Sequence, residues 1–189
     1  EDEQALKAEV AHYADKISAL AGKYIVTSED KELEKAILDF MKARGLTLAV
    51  AESCTGGYLS HLFTKNAGSS EVFLGGVVSY SNQLKQDFIS VSQQTLTDFG
   101  AVSEQTVLEM VKGIHLSSHA DYAISISGIA GPGGGTEDKP VGTVWIAVAG
   151  KHKTISEKYQ FGNKRQQNIE RSAVNALILL FKLLREEHV

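Results

Sequence analysis

Apolar positions along the chain follow two rhythms, one helical and one continuous, and the two alternate. Ala5, Leu6, Val10, Ala14, Ile17 and Leu20 recur at helical spacing over residues 3–21, and Gly22 ends the run. Lys23–Val26 reads as a short strand. Ser28 and Asp30 offer N-caps for a second helix carrying Leu33, Ile37, Leu38 and Met41, which stops at Gly45. Thr47–Ala51 holds no charge, as a strand buried on both faces requires. A helix is expected over Tyr58–Asn66, and Phe73–Tyr80 reads as another buried strand. A polar helical stretch starts at Asn82, and a longer helix starts at Ser103 with Glu104 in its first turn. Tyr122–Ser127 is a strand. Val141–Val148 and Thr154–Gln160 read as two more, with a hairpin turn at Gly150-Lys151. A final helix over Lys164–Arg185 sets Ile169, Ala173, Leu177, Leu180 and Leu184 on one face.

Helices that alternate with short buried strands before a late hairpin predict an α/β fold, a three-layer α/β/α sandwich on a mixed sheet. The length suits one compact domain with a small N-terminal appendage. The chain opens at Glu1 without a methionine, as a piece of a longer protein would. Hydrophobic residues make up 43% and charged residues 22%, so a packed core is expected. The formal charge is −4 and no dense Lys/Arg run occurs, which argues against direct nucleic-acid binding. The single cysteine, Cys54, excludes an intrachain disulfide and a thiolate metal cage. No apolar run nears the ~20 residues of a membrane span, and no signal peptide opens the chain. No membrane partner, no metal and no cofactor are expected, and the expected location is cytoplasmic.

Ligands of α/β sheets gather at the carboxyl ends of strands, and two strands here end in unusual loops. Ala51 leads into Glu52-Ser53-Cys54-Thr55-Gly56-Gly57. A nucleophile at such a strand-to-helix turn is projected out of the sheet, and the following amides can hold an oxyanion. The placement is that of a nucleophile elbow without its G-x-S-x-G spelling. Capping of the helix by Ser53 or Thr55 is the plainer alternative, and this segment alone leaves both open. A serine hydroxyl needs a base. None of the six histidines lies on a strand-end loop, and His115 and His119 suit the C-terminus of their helix. Tyr80, Asn82 and Lys85 follow the strand that ends at Tyr80. Lysine acts as a base only when neutral, and at its ordinary pKa about a few in ten thousand are neutral at pH 7. Burial would have to lower that value, with Tyr80 as a proton relay; otherwise Lys85 is a surface lysine. Cys54, next to Ser53, reads as a buried and inert thiol.

The second loop, Gly128–Gly135, exposes many backbone amides and can form an anion nest or merely turn the chain. It fits neither a Walker A loop nor G-x-G-x-x-G. Asn163-Lys164-Arg165 opens the last helix and offers a cationic contact to a phosphate.

Four stretches in order, AESCTGG (51–57), GGVVSYSNQLK (75–85), GAVSEQT (100–106) and SGIAGPGGGTEDKPVGTVWIAV (127–148), strongly resemble the C-terminal domain of the CinA competence/damage-inducible family. The resemblance spans about residues 30–187, and it implies a linking segment over residues 1–29 followed by one domain over 30–189. It implies hydrolysis of the carboxamide of nicotinamide mononucleotide to nicotinic acid mononucleotide and ammonia. Ser53 would be the nucleophile, with Tyr80 and Lys85 as its activating pair. Thr55, Gly56, Gly57, Asn82, Gly131, Gly133, Gly134 and Arg165 would contact the substrate. It further implies a homodimer and a longer parent with another domain upstream. One position departs from the family pattern: a second arginine four residues after Arg165 is replaced by Ile169. A non-catalytic nucleotide-binding or assembly module is the alternative function.

Overall fold

The computed structural model describes residues 2–22 and 25–188. Five strands form one mixed sheet: β1 (Leu48–Glu52), β2 (Phe73–Val78), β3 (Tyr122–Gly128), β4 (Thr143–Ala149) and β5 (Thr154–Gln160), in the order β2-β1-β3-β4-β5. β1 runs parallel to β2 and β3, whereas β4 and β5 pair antiparallel. The mixed sheet and the late hairpin are those expected from the sequence.

Residue size decides which helices lie on which face. Leu48 and Val50 of β1, Ile124 and Ile126 of β3 and Val144, Ile146 and Val148 of β4 point to one side. There they meet α2 (Leu33–Lys42), α3 (Tyr58–Thr64) and α7 (Arg165–His188). The alternate residues Ala49, Ala51, Ala123, Ala147 and Ala149 point the other way. Small side chains let helices approach the sheet closely, and α4 (Asn82–Ile89), α5 (Gln93–Phe99) and α6 (Glu104–Ser118) fill that side. Ser125 on that face donates its hydroxyl to the Val107 carbonyl of α6, 2.7 Å away. The result is the predicted α/β/α sandwich.

Four details differ from the sequence expectation. β2 stops at Val78 and is an edge strand, alternately half-buried and exposed, because no strand covers its outer side. α2 is preceded by Glu32 in extended conformation and receives no side-chain cap, so neither Ser28 nor Asp30 performs that role. The polar stretch after Asn82 is two helices, broken where Ser90 adopts a left-handed conformation (φ 56°) and Ser92 caps α5. Of the expected strand at 23–26, Lys23 and Tyr24 lie outside the described residues, and Ile25 and Val26 form no strand. α1 (Glu3–Ala21) exists as expected but buries none of its residues. Among the described residues, no helix is long and apolar enough to cross a membrane, and no cluster of His, Cys, Asp or Glu suits a metal.

Candidate active site

β1 is apolar up to its last residue, and that residue is a carboxylate. Glu52 is wholly buried, and its charge is answered by the start of α3. Its Oε2 accepts the Gly57 and Leu59 amides, both at 3.1 Å. Its Oε1 accepts the Ser60 amide at 2.8 Å and the Ser60 hydroxyl at 2.6 Å. The chain gains room for this tight turn at Gly56 (φ 59°) and Gly57 (φ 98°), which fold back as only glycine does cheaply. Glu52, not Ser53 or Thr55, therefore satisfies the helix end.

Ser53 is held from the other side. Its amide donates to the Ile126 carbonyl of β3 at 3.0 Å, fixing the turn over the centre of the sheet. The hydroxyl is left to one partner, the Lys85 amine, at 3.0 Å. Lys85 comes from the first turn of α4, which Ser81 caps by accepting the Leu84 amide at 3.1 Å. The amine also donates to the Ser79 carbonyl at 2.7 Å. With 1% of its surface exposed, Lys85 is among the largest buried side chains. Burial pushes its pKa down to about 8, and neighbouring Cys54 opposes this. Cys54 is itself buried, which pushes its thiol up to about 12, so it stays protonated and inert.

A cavity of about 190 Å³ opens over the Ser53–Lys85 pair at the carboxyl ends of β1 and β3. Ser127, Gly128 and Ala130 line one side, Ala101 and Val102 another, and Tyr80 and Arg165 stand at the rim. Tyr80 is 59% exposed and its hydroxyl accepts from Arg165 Nη2 at 3.0 Å, so it is not interposed between lysine and serine. Arg165 Nη1 donates to the Gly131 carbonyl at 2.8 Å, joining the start of α7 to the glycine loop. Asn168, one turn on, pins the same loop by donating to the Ala130 and Gly162 carbonyls at 3.0 and 2.9 Å.

The structure thus brings together Ser53, Lys85, Tyr80 and Arg165. The other expected contacts stand further back. Thr55 is buried beside the turn, and its hydroxyl has no partner among the described residues. The Gly56 amide donates to the Ser53 carbonyl and the Gly57 amide to Glu52, so neither is free for an oxyanion. The amides of Cys54 and Thr55 donate to no backbone carbonyl among the described residues. Asn82 is exposed, as are Gly133 and Gly134, while Gly131 offers its carbonyl to Arg165. Ile169, where the family pattern has a second arginine, is partly buried and packs against the hydrophobic core. Sequence reasoning missed Glu52, Ser79, Ser127, Ala101 and Val102. A lone carboxylate ending an apolar strand was the available signal for Glu52. Ser79 acts through its carbonyl, which side-chain patterns do not reveal.

Fold and site together define a three-layer α/β/α domain with a buried serine–lysine pair at the carboxyl end of a mixed sheet. Residues 30–184 match the family model of the CinA C-terminal domain, and the chain belongs to that family. A "CinA-like protein" from Cytophaga hutchinsonii is 42% identical over 181 residues, covering 96% of this chain and 43% of the relative. Another from Thermotoga maritima is 47% identical over 170 residues, covering 90% and 41%. The chain therefore spans about two fifths of the length of these curated relatives. Among solved structures, the competence/damage inducible protein CihA from Agrobacterium tumefaciens superposes with a TM-score of 0.79. It is 39% identical and the match covers 80% of this chain and 93% of that one. The competence damage-inducible protein A (ComA) from Klebsiella pneumoniae gives 0.78 at 35% identity, covering 81% and 95%.

Proposed function

We propose that the domain is an amidohydrolase that converts the carboxamide of nicotinamide mononucleotide to the carboxylate, with Ser53 as nucleophile and Lys85 as base. The observation that carries this reading is the 3.0 Å contact between the Lys85 amine and the Ser53 hydroxyl, in a site that excludes water from the lysine. With a pKa of about 8, Lys85 is neutral in about a tenth of molecules at pH 7, against a few in ten thousand for a free lysine.

In the neutral amine the hydrogen bond reverses, and Ser53 donates its proton to the lysine as its oxygen attacks the carboxamide carbon. The amides of Cys54 and Thr55 are the donors at hand for the oxyanion. Lys85 then passes the proton to the departing nitrogen, releasing ammonia and leaving an acyl-serine. A water molecule, deprotonated by the same lysine, attacks the ester and frees the carboxylate and Ser53. The amine touches the serine directly, so no relay through Tyr80 is required.

At about 190 Å³ the cavity is smaller than the ~300–1,000 Å³ usual for a whole small-molecule ligand. It suits the carboxamide end, with ribose and phosphate lying across Tyr80 and Arg165 towards the glycine loop. Ammonia release from nicotinamide mononucleotide tests the proposal directly. Ser53→Ala and Lys85→Ala are expected to abolish turnover, while Cys54→Ala retains it. Wild-type protein that binds the nucleotide but releases no ammonia would point instead to a nucleotide-binding module without turnover.

A further inference from the structure

We propose that Glu52 is the positioning residue of the nucleophile turn: its buried carboxylate closes the end of α3 and thereby leaves the Ser53 hydroxyl for Lys85. This rests on the reading of Ser53 as the nucleophile.

The start of a helix demands acceptors for its free amides, and serine or threonine hydroxyls usually supply them. Two such hydroxyls, Ser53 and Thr55, sit within reach of this helix in sequence. A Ser53 engaged in capping would turn its oxygen towards amides and away from the lysine. Glu52 removes that competition by accepting the Gly57, Leu59 and Ser60 amides and the Ser60 hydroxyl, all within 3.1 Å. Its negative charge also lies where the helix dipole favours it. The backbone is shaped to admit this clamp. A Cβ at Gly76 of β2 would lie 2.7 Å from the Ser60 hydroxyl, so glycine there leaves that hydroxyl its place. With the clamp closed, the Cys54 and Thr55 amides still donate to no backbone carbonyl, and the buried Thr55 hydroxyl has no partner, among the described residues. Buried polar groups are normally paired, so unsatisfied ones beside a nucleophile mark where a reacting oxygen is received.

Glu52→Gln keeps the shape but sets an NH2 group against a donor. Two measurements separate a positioning role from a merely structural one: steady-state kinetics, and the rate at which a serine-directed fluorophosphonate labels Ser53. The variant is expected to label at Ser53 and turn over about tenfold more slowly or worse, with KM changed by no more than about threefold. The ascending limb of its pH profile stays where wild type has it, since Lys85 keeps both of its contacts. Ser60→Ala removes one donor from the clamp at a half-buried site and is expected to fold normally, with kcat lowered by about threefold. The positioning role is overturned if wild type labels at Ser53 and both variants label and turn over at its rate. It is overturned equally if the labelled fraction of Glu52→Gln falls with misfolding while the folded fraction reacts at full rate. Wild type that neither labels nor releases ammonia sinks the serine reading, and this inference with it.

Discussion

Among the described residues Lys85 has only a hydroxyl and a carbonyl for partners, and taking an ammonium out of water without a counter-charge is costly. The cost appears as a pKa lowered to about 8, and it has consequences for both activity and stability. Activity needs the free amine, so kcat/KM should climb with pH through an apparent pKa near 8 and level off above it. A pH–rate profile that is flat between 6 and 9 would remove Lys85 from the role of base. Stability follows linkage: between about 8 and the ordinary lysine value of 10.5 the unfolded chain holds a proton that the folded chain has released. The folded state therefore gains stability as pH rises across that window, and below about 8 it bears the full cost of the buried charge. Lys85→Met should lower turnover by about 10²–10⁴-fold, yet melt at or above the wild-type temperature at pH 7 and lose that pH dependence. Arg165 is the other residue whose role geometry sharpens. Ile169 packs against the core, and Arg165 bridges Tyr80 and the glycine loop at the rim. Arg165→Ala should raise KM for the mononucleotide about tenfold or more while changing kcat much less, since the guanidinium would meet the phosphate and not the reacting carboxamide.

At the scale of elements, the site depends on how closely α4 approaches α6. A Cβ at Gly113 of α6 would stand 1.9 Å from the Ile89 carbonyl at the end of α4, so the two backbones touch there. Gly113→Ala must push α4 outward, and α4 carries Lys85. Urea denaturation should show a loss of about 1–3 kcal/mol, and ammonia release should fall further than the loss of folded protein explains. That contact was invisible in the sequence, where Gly113 is an ordinary glycine inside a helical run. Continuous apolar stretches were legible: β1 and β3 are buried on both faces, and β3 and all of β1 before Glu52 reveal themselves by lacking charge. β2 misled because its glycines hide the alternation of an edge strand. Capping was the least legible feature. Ser28, Asp30, Ser53 and Thr55 all have the right chemistry, but Glu32 precedes α2 and a carboxylate from the end of a strand closes α3. Local sequence preference gave way to contacts set by the sheet. The Ser53–Lys85 pairing joins residues 32 apart in the chain, and the parallel β1–β2 pair brings their loops to one end.

For the whole molecule, the question is which part of the chain constitutes the working unit. The family match begins at residue 30, and the core on both faces of the sheet is built from residues beyond it, with Val26 alone packing on from before among the described residues. α1 stands apart. Leu6, Val10, Tyr13, Ile17 and Leu20 make an apolar stripe at helical spacing, each more than half exposed. Arg185 of α7 reaches back to the Gly22 carbonyl at 2.9 Å, which marks where the chain is first tied to the domain. A helix that buries nothing contributes nothing to the core, so removal of residues 1–21 should change the unfolding free energy by no more than about 0.5 kcal/mol. The cavity draws on no residue before Ser53, so ammonia release by the shortened chain should equal that of the full 189 residues. Removing residues 1–29 is a harsher test, because it takes Val26 from the core and the Gly22 carbonyl from Arg185. A small fall in melting temperature with unchanged kcat would place the catalytic unit at residue 30 onward. Loss of activity in the milder deletion would mean that α1 reaches the site in solution, and the domain would then have to be drawn to include it.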